Sequence, residues 1–198
     1  MDSFQLRYAP GLTPIPQAFF SVTTGGPFDR CMLCNLFLLA EGTNYVIEKA
    51  CKRHPEFGVE DTVFEYALCV NCLAEMSNQM SEESMGNIQE YFMTQTNMGA
   101  RQEVLMQQES FHLPDWIGNC LVKGTPIEEL TDYQILGTFS GEKMVYHTFP
   151  YVLGGEAMKE MSLLLSSESL GEIDGFMENF GLPPELRELW KDKPLIII

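Results

Sequence analysis

Two pairs of cysteines with the same short spacing are the residues of this sequence best suited to chemistry. Cys31 and Cys34 form one C-x-x-C pair, and Cys69 and Cys72 form a second pair after 34 intervening residues. A two-residue gap lets both sulfurs of a tight turn converge on one ion, and four thiolates make the tetrahedral set that Zn²⁺ prefers. A closed site of this kind leaves no coordination position for a substrate. The pattern therefore predicts a structural Zn²⁺ and no metal catalysis.

Two other interpretations of these cysteines stay open on sequence alone. The thiols could be buried without a metal, although their paired spacing argues against that. They could also form disulfides under oxidation and release the ion, but the first pair lacks the β-α-β context of thioredoxin-like chemistry. Cys51 and Cys120 are predicted to be small buried apolar residues. Cys120 is in addition a candidate relic of a lost cysteine turn.

Composition and charge narrow the class of partner. The chain of 198 residues carries 28 acidic and 12 basic side chains, a formal net charge of −16. Such a surface repels phosphate backbones, so nucleic acid is disfavoured and a basic protein partner is favoured. The N-terminal residues show no apolar signal region, and no apolar run approaches the roughly 20 residues of a membrane span. We expect a cytoplasmic protein without a membrane partner.

The elements that must position the cysteines follow from apolar periodicity and turn residues. Ser81 is predicted to cap a helix that begins with Glu82 and Glu83. The predicted strands are Tyr45–Lys49, Thr62–Leu68, Tyr133–Phe139, Met144–Phe149 and a tail strand at 195–198; the predicted helices follow Cys72 and Ser81 and cover 97–108, 156–165 and 167–180.

An internal repeat relates two parts of the chain. Residues 66–92 align without gaps with residues 151–177, with ten identities among 27 positions, where ordinary residue usage predicts roughly two. The cysteines are not kept, because Cys69 faces Gly154 and Cys72 faces Ala157. We therefore predict two related halves, each a β-hairpin followed by two helices, packed as a pseudo-symmetric pair. The recurring Glu75 and Glu160 are predicted to bond across their interface.

The order of a cysteine turn, a hairpin and a helix that carries the second pair resembles a treble-clef zinc finger over residues 28–80. The long intervening loop leaves a simple zinc ribbon as the alternative. The resemblance is to a fold group, so it implies a zinc-binding unit and names no function. The predicted fold class is α+β, with an extended Pro/Gly-rich arm at 1–27, a zinc-binding half at 28–110 and a related metal-free half at 111–198.

The function that these features favour is non-catalytic. We expect an acidic protein with a structural zinc that acts through protein–protein interaction, as an adaptor, inhibitor or assembly factor of open oligomeric state. One alternative is a nucleic-acid-associated zinc module or mimic, for which the best basic cluster is small: Lys49, Lys52, Arg53 and His54. Another is an enzyme with a site in the crevice between the halves, although the sequence contains no nucleophile or phosphate-loop motif and predicts no catalytic residue.

Overall fold

A computed structural model describes residues 10–109 and 111–171, and these residues form an α+β fold around one six-stranded sheet. The strands are β1 (Gly11–Pro14), β2 (Asn44–His54), β3 (Val59–Cys69), β4 (Asp132–Ser140), β5 (Lys143–Tyr146) and β6 (Tyr151–Gly154). The helices are α1 (Val70–Ser77), α2 (Glu82–Gln95), α3 (Met98–Gln107), α4 (Leu113–Ile117) and α5 (Gly155–Ser162), and residues 167–171 begin a further helix. The predicted tail strand and the rest of the predicted helix 167–180 lie outside the described residues.

The sheet joins the two predicted halves of the chain. Its strand order is β1-β5-β4-β2-β3, and β6 also pairs with β4. The central pair is β2 with β4, antiparallel from Asn44 opposite Ser140 to Lys52 opposite Asp132. On its other edge β4 pairs first with β6 and then with β5. Both halves therefore contribute to one continuous set of backbone hydrogen bonds.

The second half differs from the predicted hairpin. The strand predicted at 144–149 ends at Tyr146, and β6 becomes the partner of the first part of β4. Tyr133 of β4 lies opposite Gly154 of β6, just as Tyr45 of β2 lies opposite Cys69 of β3. The register of the pair β4–β6, rather than that of the hairpin β4–β5, thus matches the register of β2–β3.

The N-terminal arm is anchored by aromatic and charged contacts. Phe19 is fully buried and meets the ring of Phe139 edge-on at 5.2 Å, and the half-buried Phe20 and Phe28 also pack on the core. The buried Lys49 donates to the Phe20 carbonyl at 2.6 Å and pairs with Glu65 at 3.2 Å. Lys49 is thus enclosed, whereas Lys52 of the same small basic cluster is exposed.

The helices on either side of Ser81 follow the sequence pattern closely. Helix α1 begins directly after β3, with Cys69 as its N-cap. The Ser81 hydroxyl accepts a hydrogen bond from the Ser84 amide, and Glu82 and Glu83 occupy the first turn of α2 as predicted. Carboxylates there face the positive end of the helix dipole. Among the described helices, none has the length and apolarity needed to cross a bilayer.

Candidate metal centre

The four cysteines of the two C-x-x-C pairs come together at one point. Their sulfur atoms all lie within 4.8 Å of one another, and Cys34 Sγ and Cys69 Sγ are 3.7 Å apart. A tetrahedron with Zn–S bonds of about 2.3 Å has sulfur–sulfur edges of about 3.8 Å. All four cysteines are free thiols. The chemistry and the spacing of the donor set therefore fit a metal ion, and Zn²⁺ is the plausible one.

A tight turn carries the first pair. The Cys31 amide donates to the Leu36 carbonyl at 2.8 Å, and the Asn35 amide donates to the Cys31 carbonyl at 2.9 Å. Asn35 adopts a left-handed conformation with φ of 59°, which asparagine tolerates better than most residues. The Met32 amide donates to the Ala67 carbonyl at 3.0 Å and so ties the turn to strand β3.

The end of β3 and the start of α1 carry the second pair. Cys69 caps the helix, and Cys72 lies in its first turn. Backbone N–H groups at a helix start favour negative sulfur. The Cys69 amide itself donates to Cys31 Sγ at 3.4 Å. Because β3 leads directly into α1, no loop separates the two ligands from the sheet, and their positions are set by regular structure.

The electrostatics of the cluster favour a cation. Cys31, Cys69 and Cys72 are buried, whereas Cys34 is exposed. Burial raises the pKa of Cys31, but backbone hydrogen bonds from Cys34, Cys69 and Leu33 outweigh it and bring that pKa down to about 7. Burial first, and the neighbouring thiols after it, raise the pKa of Cys72, and burial also raises the pKa of Cys69. Four sulfurs this close cannot all be negative unless a positive ion offsets their repulsion.

A second turn of the same build holds Cys120, which lies outside the cluster, as does Cys51. The Cys120 amide donates to the Thr125 carbonyl at 2.8 Å, and the Gly124 amide donates to the Cys120 carbonyl at 2.8 Å. Gly124 has φ of 69°. The Gly154 amide donates to Cys120 Sγ at 3.2 Å, as the Cys69 amide does to Cys31 Sγ. Each of these features has a counterpart in the first turn.

The gapless repeat in the sequence does not reach this second turn. Cys120 follows Cys31 by 89 positions, whereas Ser166 follows Ser81 by 85. A loop that is four residues shorter therefore hides the match between the turns from a search at one fixed shift. Between residues 28–37 and 117–126 only the cysteine is identical, so the sequence alone gives a weak signal for this match.

Four serines meet where the two halves join, and their contacts come in matched pairs. The Ser81 amide donates to Ser169 Oγ at 2.9 Å, and the Ser166 amide donates to Ser84 Oγ at 2.8 Å. The Ser81 and Ser166 hydroxyls lie 2.9 Å apart, between these two bonds. Each contact maps onto the other when the halves are exchanged. The four residues thus follow a local two-fold arrangement.

Aromatic and acidic side chains show both the likeness of the halves and its limits. Phe64 stacks on Tyr66, and Phe149 stacks on Tyr151 at the matching positions. Glu160 accepts a hydrogen bond from the Tyr91 hydroxyl of the other half at 2.6 Å, as predicted for this residue. Glu75 is exposed, and the residue that matches Tyr91 by sequence is Phe176, which has no hydroxyl to donate and lies outside the described residues.

A buried carboxyl lies between the halves. Glu48 is opposite Leu136 in the central strand pair, is 2% exposed, and accepts a hydrogen bond from the Tyr66 hydroxyl. Burial raises the pKa of Glu48 to about 8, although the hydrogen bond from Tyr66 lowers it. A perturbed carboxyl in an open crevice would have favoured an enzyme. Glu48 is instead buried in the sheet.

Comparison with known proteins adds no relative: no family model, no curated protein and no solved structure matches this chain. The site alone therefore defines the class, an α+β fold with a cluster of four cysteines that could hold a metal ion.

Proposed function

We propose that Cys31, Cys34, Cys69 and Cys72 bind one structural Zn²⁺ in a protein that acts through protein–protein interaction and not through catalysis. The observation that carries the proposal is the convergence of the four sulfurs within 4.8 Å. Four protein ligands close the coordination sphere, so the ion contributes to folding and does not activate a substrate. Free thiols at all six cysteines suit a reducing compartment such as the cytoplasm.

The arrangement around the ion supports a treble-clef unit. A cysteine turn, the β2–β3 hairpin and helix α1 follow one another, and the second ligand pair lies at the helix start. The matched turns, serine contacts and stacked aromatic pairs support the further proposal that the two halves arose by internal duplication. In that history the first half kept its metal and the second half lost it.

Exposed apolar side chains around the centre support an interaction role. Five of them lie within three residues of a ligand and are between 38% and 46% exposed: Met32, Leu33, Leu36, Phe37 and Val70. Large apolar groups left in water next to a rigid centre are typical of a protein contact surface. With a net charge of −16 on the whole chain, the partner we propose is a basic protein with an apolar patch.

Metal analysis of the purified chain tests the first part of this proposal. We expect one zinc per chain by elemental mass spectrometry, and loss of the metal in Cys34→Ser. A double variant with Cys51→Ser and Cys120→Ser is the matched control and should keep its zinc, because neither residue belongs to the cluster. A purified wild-type chain without any metal would contradict the proposal.

Capture of partners from a lysate at two salt concentrations tests the second part. We expect the bound proteins to be basic, and their retention to fall between 50 mM and 500 mM NaCl because salt screens the attraction. Phe37→Ser should reduce retention, whereas Phe57→Ser, at a residue 76% exposed in the β2–β3 turn, should not. If retention changes neither with salt concentration nor in the Phe37→Ser variant, this result would count against the interaction role. A gel shift at low salt tests the nucleic-acid alternative. If the protein shifts neither DNA nor RNA, that alternative is excluded.

A further inference from the structure

Lys123 occupies the place in the second turn that Cys34 occupies in the first. Each residue follows its turn cysteine by three positions, and the Lys123 amide donates to Cys120 Sγ at 3.5 Å. At the two remaining ligand positions the second half has Gly154 and Ala157. Cys120 is therefore the one sulfur left in a place that matches the metal centre.

An ion pair now joins this turn to the helix that matches α1. Lys123 Nζ lies 2.5 Å from Glu160 Oε1 of helix α5 and 3.8 Å from Glu156. The other oxygen of Glu160 accepts the hydrogen bond from the Tyr91 hydroxyl of α2. Hydrogen bonding with Glu160 raises the pKa of Lys123, and hydrogen bonding with Lys123 lowers the pKa of Glu160. Both groups are thus charged across the neutral range.

An apolar side chain fills the space beside the remaining thiol. A Cβ atom added to Gly154 would lie 2.8 Å from Cδ2 of Leu130 and 3.7 Å from Cys120 Sγ. A cysteine at position 154 would therefore meet Leu130 before its sulfur could approach Cys120. The volume that corresponds to the metal centre is closed by a leucine.

We infer that the second half contains a former metal centre, in which the Lys123–Glu160 ion pair and the Leu130 side chain fasten the turn to helix α5 in place of the ion. The inference rests on the proposed duplication. It gives Lys123 a positioning role that its partly exposed side chain alone would not suggest. Where the first half uses one cation held by four sulfurs, the second half uses the ammonium group of a lysine.

Restoring the ligands tests the inference through metal content. The variant combines Lys123→Cys, Gly154→Cys and Ala157→Cys with Leu130→Ala to make room. We expect two zinc ions per chain in place of one. The matched control adds Cys120→Ser and should return to one. A folded variant with one zinc would overturn the inference, whereas a wild-type chain with none would contradict the proposed metal function instead.

A double-mutant cycle decides the case in which the rebuilt variant does not fold. Lys123→Met, Glu160→Gln and their combination are compared with the wild type by urea unfolding. We expect a coupling of about two- to fivefold in the folding equilibrium constant at 50 mM NaCl, smaller at 1 M. The cycle with Glu156→Gln is the control and should show a weaker coupling across its longer distance. If the effects of Lys123→Met and Glu160→Gln on stability are additive, with no coupling between the two residues, the inference is overturned.

Discussion

Cys72 and Ala157 occupy matching places in the first turns of α1 and α5, and both are buried, yet we expect opposite responses to serine. Cys72→Ser removes a proposed metal ligand and should destabilise the first half by several kcal/mol, because metal binding would be part of the folding free energy. Ala157→Ser adds a hydroxyl that can bond to its own helix, and should cost about 1 kcal/mol. Urea unfolding with metal analysis measures both. Equal costs would contradict a centre confined to the first half.

Glu48 should make stability depend on pH. Its pKa is about 8 in the folded chain, above the ordinary value of 4.5, so the unfolded carboxyl binds fewer protons between these values. The free energy of unfolding should therefore be highest below pH 4.5 for this group and fall as pH rises to 8, by about 5 kcal/mol at most. Glu48→Gln should remove this slope, and Glu75→Gln, at an exposed carboxyl, should keep it. Unfolding curves from pH 5 to 8 that fall equally in both variants would refute the assignment.

At the scale of elements, the local sequence pattern predicted most of the helices and strands. The errors lie where residues far apart in the sequence determine the bounds of a strand. β2 was predicted to end at Lys49, but it continues to His54 because Lys52 and Arg53 pair with β3. Arg53 also donates to the Ile127 and Leu130 carbonyls. When only the local sequence is considered, two consecutive charged residues indicate a loop rather than a strand. Only their long-range partners make them part of a strand.

The candidate site divides in the same way. The spacing of the four cysteines predicted that their sulfurs would cluster, since metal chemistry leaves a strong local signature. Lys123 belongs to no sequence motif, and its role can be inferred only from its position in the fold. Its match to Cys34 appears only when the two turns are compared hydrogen bond by hydrogen bond. Strand β6 was missed for a related reason: four buried residues are too short a run to identify alone.

At the scale of the whole molecule, one sheet and one serine cluster connect the two halves. The pairing of β2 with β4 gives them a shared backbone ladder, and Glu48 lies in the middle of it. The two matched turns differ in their side chains: one carries two cysteines of the four-cysteine cluster, and the other carries the lysine of the Lys123–Glu160 ion pair. Exposed apolar side chains, Met32, Leu33, Leu36 and Phe37, lie in or beside the first of these turns.

The serine cluster offers a test of this two-fold arrangement. Ser84→Ala leaves the Ser166 amide without its acceptor, and Ser169→Ala does the same to the Ser81 amide. Both serines are fully buried, so each change should cost about 1–3 kcal/mol. We expect the two costs to agree within about 0.5 kcal/mol and to be non-additive when combined, because the hydroxyls share one network. Urea unfolding of the two single variants and the double variant measures this.

Ser77 and Ser162 supply the matched control, since each bonds to a carbonyl of its own helix at 3.0 Å and 2.8 Å. Alanine there should cost little in either half, because no amide of the other half loses its acceptor. A large cost at Ser84 with none at Ser169 would mean that the halves only resemble each other in sequence and do not support each other as equals. Equal costs would support the local two-fold arrangement of the four serines, in which each half stabilises the other in the same way.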